Sequence, residues 1–263
     1  MKQYMESNEI RRASLDFFRS KEHTIVPSAP MGPANPFSSQ FADQEGTAMA
    51  FDFKKEERAL YQPKTQPSII EVPRMNYLAV RGQGDPNQKD GAYQQAIPLL
   101  YGVAYTIKMS YKGDHQIPGF FEYVVPPLEG FWWQEDGAAM DYGKKDQMHF
   151  LSLIRLPAFA TPQEVEWAKE QAAKKKKQDF SSVEFFSYEE GLCVQCMHMG
   201  SYDDEPATVR SLHEYAAAKG YAVDITDARF HHEIYLSDPN KCEVSKRKTV
   251  LRLPIRKMEQ EKK

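Results

Sequence analysis

Cysteine is scarce, charge is nearly balanced and long apolar runs are missing. Three cysteines in 263 residues cannot form a paired disulfide framework, which points to a reducing, cytoplasmic setting. No apolar run approaches the roughly 20 residues that a membrane helix needs. The charged, polar N-terminus does not read as a secretory signal, so no membrane partner is expected. A formal net charge of −3 gives no global attraction for nucleic acid. The best basic run, Lys174 to Lys177, falls at the end of an expected helix, where cations offset the helix dipole. No nucleic-acid partner is therefore expected. Phosphate-loop and nucleophile-elbow motifs are missing, and Gly82-Gln-Gly84 lacks the rest of a dinucleotide fingerprint, so no cofactor is expected.

Two regions stand out along the chain. Residues 1–46 read as one amphipathic helix, with Ser7 as cap and Ile10, Leu15, Phe17 and Phe18 as its apolar face, followed by a linker rich in Pro, Gly, Ala and Ser. Within it, residues 7–35 resemble the extreme N-terminus of alanyl-tRNA synthetase, through Ser7-Asn-Glu-Ile-Arg11, Leu15-Asp-Phe-Phe18 and Ile25-Val-Pro-Ser-Ala29. The similarity stops near Pro36 and no later class II motif follows. No synthetase activity carries over, and the stretch is read as a remnant.

Residues 47–258 read as the compact domain. Ser68–Arg81 is a strand ending in a Gly–Asp–Pro turn, and Asp90–Met109 is a helix with Tyr93, Ile97, Leu100 and Ala104 on one face. Pro98 predicts a kink or a late start to that helix. Strands are expected at Phe120–Val125, Leu128–Trp133 and Met148–Leu156, with a loop over Asp136–Lys145. Thr161, Pro162 and Glu164 form the start of a capped helix buried through Val165, Ala168 and Ala172. Leu192–Met199 is a strand. Asp204 caps a helix whose face is Val209, Leu212 and Ala216, and Gly220 stops it. His232–Leu236 and Thr249–Ile255 close the domain. The two halves share one order of elements, and Val80-Arg-Gly-Gln-Gly-Asp-Pro86 pairs with Met199-Gly-Ser-Tyr-Asp-Asp-Glu-Pro206. The expected fold is α+β: two βαββ repeats about a pseudo-two-fold axis, helices on one face and a ligand groove on the other.

Several stretches, taken in order, resemble one family. They are Phe51-Asp-Phe-Lys-Lys-Glu-Glu57, Leu60-Tyr-Gln-Pro-Lys-Thr-Gln-Pro-Ser-Ile-Ile70, Leu100-Tyr-Gly-Val-Ala-Tyr-Thr-Ile-Lys-Met109, Val124-Val-Pro-Pro-Leu-Glu-Gly-Phe-Trp-Trp133, Tyr202-Asp-Asp-Glu-Pro-Ala-Thr208 and His231-His-Glu-Ile-Tyr-Leu-Ser-Asp-Pro239. Together they look like the GyrI-like small-molecule-binding proteins. The resemblance implies an aromatic pocket with an acidic floor that takes hydrophobic, often cationic molecules. It also implies two alternatives: a hydrolase that opens cyclopropane-bearing electrophiles with a pocket glutamate and aromatic residues, or a protein-interaction role such as gyrase inhibition. A monomer or weak dimer is expected.

Glu233 is the central candidate, as cation partner or general base. Strand alternation puts His231, Glu233 and Tyr235 on one face, assigned to the groove, and Ile234 and Leu236 on the other, assigned to the helix-backed core. A carboxylate among rings loses hydration, and a cationic ligand restores a partner through charge and cation–π contact. The alternative is a surface carboxylate on an edge strand. Only one of Trp132 and Trp133 can reach the groove, and both could be core. Glu129 is a second acid, and Tyr202, Tyr93, Tyr105 and Phe121 are further ligand-binding candidates. Cys193 and Cys196, three apart within a strand, point to opposite faces and read as buried structural residues. His231-His232 splits in the same way, so no metal site is expected.

Overall fold

A computed structural model describes residues 50–134, 143–238 and 241–258. The remnant and linker of residues 1–46 lie outside the described residues, as does most of the loop expected over Asp136–Lys145.

Among the described residues, seven strands and five α-helices build a mixed helix and antiparallel-sheet fold. Two short helices, α1 (Phe53–Glu56) and α2 (Arg58–Tyr61), precede β1 (Ser68–Gln83). Then follow α3 (Ala92–Lys108), β2 (Leu128–Trp133), β3 (His149–Leu156) and α4 (Pro162–Lys176). The chain continues through β4 (Glu184–Met199), α5 (Glu205–Ala218), β5 (Tyr221–Val223), β6 (His231–Tyr235) and β7 (Lys248–Lys257). The strands run β4-β1-β3-β2-β6-β7, and β7 pairs back onto β4, so six strands close a ring. Strand β5 attaches outside, along β7.

Alternation along each strand separates two environments. Tyr77, Phe131, Leu151, Leu153, Ile234 and Val250 fill the inside of the ring, which α1 and α2 cover with Phe53, Leu60 and Tyr61. On the outside, Leu78, Val80, Trp132, Phe150 and Tyr235 pack under α3 and α4. Val194, Cys196, Leu251 and Leu253 pack under α5. Cys193 points inward and Cys196 outward, so their thiols do not converge.

Local chemistry explains the helices. Thr161 accepts the Glu164 amide at the start of α4, beside Pro162, and Lys177 ends that helix in a left-handed turn. Helix α3 starts at Ala92 and runs through Pro98, so the late start expected from that proline does not occur. Asp204 occupies the cap position of α5 without a side-chain cap bond; Ser201 instead accepts the Asp203 amide in the preceding turn, Tyr202–Asp204.

Two strand assignments need correction. Phe120–Val125 is no strand: its one ladder contact is a bridge between Phe51 and Tyr123. Phe120, Phe121 and Tyr123 pack instead against Phe51, Phe53 and Phe159, so their apolar character serves a core and not a ladder. Strand β4 starts at Glu184, eight residues before Leu192, because Glu184–Gly191 pairs with β1 through polar and apolar residues alike.

Candidate functional site

Three groups form a hydrogen-bond chain on the outer face of β2 and β6. Trp132 Nε1 donates to the Tyr235 hydroxyl at 3.0 Å, and that hydroxyl donates to Glu233 Oε2 at 2.8 Å. The strands make this possible because Gly130 pairs with Glu233 across the ladder. A Cβ on Gly130 would stand 2.7 Å from Trp132 Nε1 and 3.2 Å from the Tyr235 hydroxyl, so only glycine leaves room for the two side chains to meet. Rings surround the chain. Tyr93, from the start of α3, lies 5.1 Å from Trp132 between centroids. Tyr202, just before α5, presents an edge to Tyr235 at 6.3 Å, with the Arg247 guanidinium 5.9 Å over the Tyr202 ring. Glu233 is 6% exposed. A carboxylate this deep requires polar partners, and Tyr235 supplies one.

A second set of charges lies inside the ring. His232 Nδ1 is 3.0 Å from Glu190 and Nε2 is 3.0 Å from Glu129. Only the imidazolium can donate from both nitrogens. Burial disfavours that cation, but Glu190 and Glu129 outweigh burial and raise His232 above the ordinary 6.5. Burial likewise pushes Glu190 up, but His232 and Arg252 hold it down at about 2. Arg252 bonds Glu190 at 2.8 Å, Gln195 at 3.0 Å and the Leu60 carbonyl at 2.8 Å. Tyr61 donates to Glu129 at 3.2 Å. Two carboxylates thus face two cations, and the network ties α2 onto the ring. Glu129 therefore has a structural partner set of its own.

The domain can now be compared with known proteins. The GyrI-like small molecule binding domain family matches residues 65–256. The chain belongs to this family. The GyrI-like domain is similar along its length to an uncharacterized conserved protein from Listeria innocua, at 47% identity and TM-score 0.74, covering 78% of this chain and 100% of that one. Two structures titled as a hydrolase from Listeria innocua are similar too. One is 46% identical at TM-score 0.71, covering 78% of this chain, and the other 47% identical at 0.72, covering 79%; each is covered in full. No curated protein matches the sequence.

In this GyrI-like domain, the structure brings Glu233, Tyr235, Trp132, Tyr93 and Tyr202 into one cluster. It does not bring the others there. Trp133 faces inward, stacking on His149 at 5.5 Å and lying 5.0 Å from Phe230. Glu129 sits with His232 inside the ring. Phe121 packs on Phe51 and Phe159, and Tyr105 lies along α3 beside Tyr101. The direction given to the faces of β6 was inverted. Glu233 and Tyr235 point toward the helices, and Ile234 and Leu236 pack with the ring interior. Alternation sorts residues into two sets but does not say which set the helices cover, and a closed ring buries both. The sequence reading missed Glu190, Arg252, Gln195 and Tyr61. The one available signal was polar side chains inside apolar strands, the charged Arg252 between Leu251 and Leu253 and the neutral Gln195 between Val194 and Cys196. No group of three or more metal-ligating side chains occurs among the described residues. Nor is any helix among them long and apolar enough to cross a membrane.

Proposed function

We propose that this GyrI-like domain binds hydrophobic small molecules, cationic ones included, at the cluster around Glu233, for sequestration, sensing or detoxification in the cytoplasm. The observation that supports it is the buried carboxylate held by the chain from Trp132 through Tyr235, with aromatic rings beside it. Such a carboxylate offers a desolvated ligand cation a charge partner, and the rings offer cation–π contact worth roughly 0.5–2 kcal/mol each. Because Glu233 is 6% exposed, a ligand reaches it only when the side chains around it move aside. On this reading the domain is two βαββ repeats about a pseudo-two-fold axis: β1, α3, β2, β3 and then β4, α5, β6, β7.

The experiment is Glu233→Gln, which keeps volume and hydrogen bonding but removes charge. Affinity for a cationic aromatic ligand should fall by about 1–3 kcal/mol, while that for its neutral isostere stays within a factor of two. Equal affinities in both proteins would sink the proposal.

A second reading is favoured by one observation: structures titled hydrolase share 46–47% identity over their full length. Here Glu233 is the general base that takes a proton from the attacking water, and the substrate is a strained electrophile such as a cyclopropane. Glu233→Gln then binds the substrate but loses roughly 10²–10⁴-fold in turnover. A gyrase-inhibitory role has no corresponding observation.

A further inference from the structure

His231 is buried to 2% exposure two residues before Glu233, on the same face of β6. Its Nε2 stands 3.3 Å from Glu233 Oε1, yet makes no hydrogen bond. A buried ring nitrogen beside a carboxylate but without a hydrogen bond is unfavourable, and a ligand acceptor would relieve it. The neighbours explain why the fold does not satisfy it. Trp132 stands across the ladder, with its own N–H committed to Tyr235. From α5 comes His213, whose cation is disfavoured by burial and then by His231. A lone pair on Nε2 would confront a carboxylate oxygen, so the tautomer that carries the proton there is favoured.

We propose that His231 is a specificity-determining residue. Its Nε2–H donates to a ligand oxygen while Glu233 Oε1 receives the adjacent ligand nitrogen. The substrate class is then an aryl-bearing aliphatic amine with a hydroxyl or carbonyl oxygen two carbons from the nitrogen. In the gauche form, such a group spaces nitrogen and oxygen much as Oε1 and Nε2 are spaced. The proposal rests on Glu233 being the ligand carboxylate.

The test uses N-benzylethanolamine and N-benzylpropylamine, which differ by hydroxyl against methyl, with binding followed by calorimetry on the full chain. Wild type should prefer the hydroxyl compound roughly five- to tenfold, the worth of one hydrogen bond. His231→Phe should bind both alike, at the level of the propyl compound, and His231→Gln should recover part of the preference through its amide N–H. In histidine-labelled wild type, the Nε2 resonance of His231 should move with the hydroxyl compound and not with the propyl one, a readout that needs no variant. No preference in wild type, or a preference that His231→Phe retains, overturns the proposal. Glu233→Gln separates the underlying reading. If both amines bind it as tightly as wild type, the carboxylate is not the cation site, whatever His231 does. If neither amine binds wild type, both proposals fall.

Discussion

At the scale of single residues, His232 and Glu190 make stability depend on pH from two sides. Glu190 is lowered from the ordinary 4.5 to about 2. Its contribution is therefore present above about 4.5 and is lost as pH falls toward 2. His232 is raised above 6.5, so its contribution is complete below 6.5 and fades as pH climbs through the raised value. The midpoint of urea unfolding should thus be highest between about pH 4.5 and 6.5 and decline on either side. His232→Gln should lose the alkaline decline, and a wild-type profile unchanged by that substitution would refute the assignment. Arg252→Met removes one cation and leaves Glu190 with His232 alone. Breaking a buried pair from one side costs about 3–5 kcal/mol, measurable in the same titration.

At the scale of elements, sequence signals worked where they were local. The capping residues and periodicity of α4 and the apolar face of α3 read directly, because each depends on neighbours within four positions. Tyr93, Ile97, Leu100 and Ala104 are all buried. The parity of β6 also read directly, and it grouped Glu233 with Tyr235. What did not read were properties set by partners far along the chain. The inward charges Glu190 and Arg252 meet across 62 positions, and Trp132 meets Tyr235 across 103. Phe120–Val125 shows the same limit, since apolar residues look alike whether they pair in a ladder or pack on a core. Gly130 tests the β2–β6 pair. Gly130→Ala places a methyl 2.7 Å from Trp132 Nε1, which must move away from Tyr235. We expect a cost of about 1–3 kcal/mol from overpacking, and a loss of ligand affinity that exceeds any change in fold. Unaltered binding in a folded Gly130→Ala protein would show that the Trp132–Tyr235 bond does not hold the carboxylate.

At the scale of the whole molecule, the family match spans 65–256, and Phe51 and Phe53 already belong to the packed interior. A chain begun at Ala48 should therefore melt cooperatively within a few degrees of the full-length protein. A drop of ten degrees or more in that calorimetric scan would mean that the first 47 residues contribute to the core.

The return pairing of β7 onto β4 carries a consequence for biosynthesis. Strand β7 joins β6 on one side and β4 on the other, and it is the last of the described strands in chain order. Until Lys248–Lys257 leaves the ribosome, two unpaired strand borders wait open on the nascent chain, and Glu190 waits without Arg252. Chaperone engagement should therefore persist until β7 has emerged, and a ribosome stalled before that point should carry a chain still able to cross-pair with its neighbours.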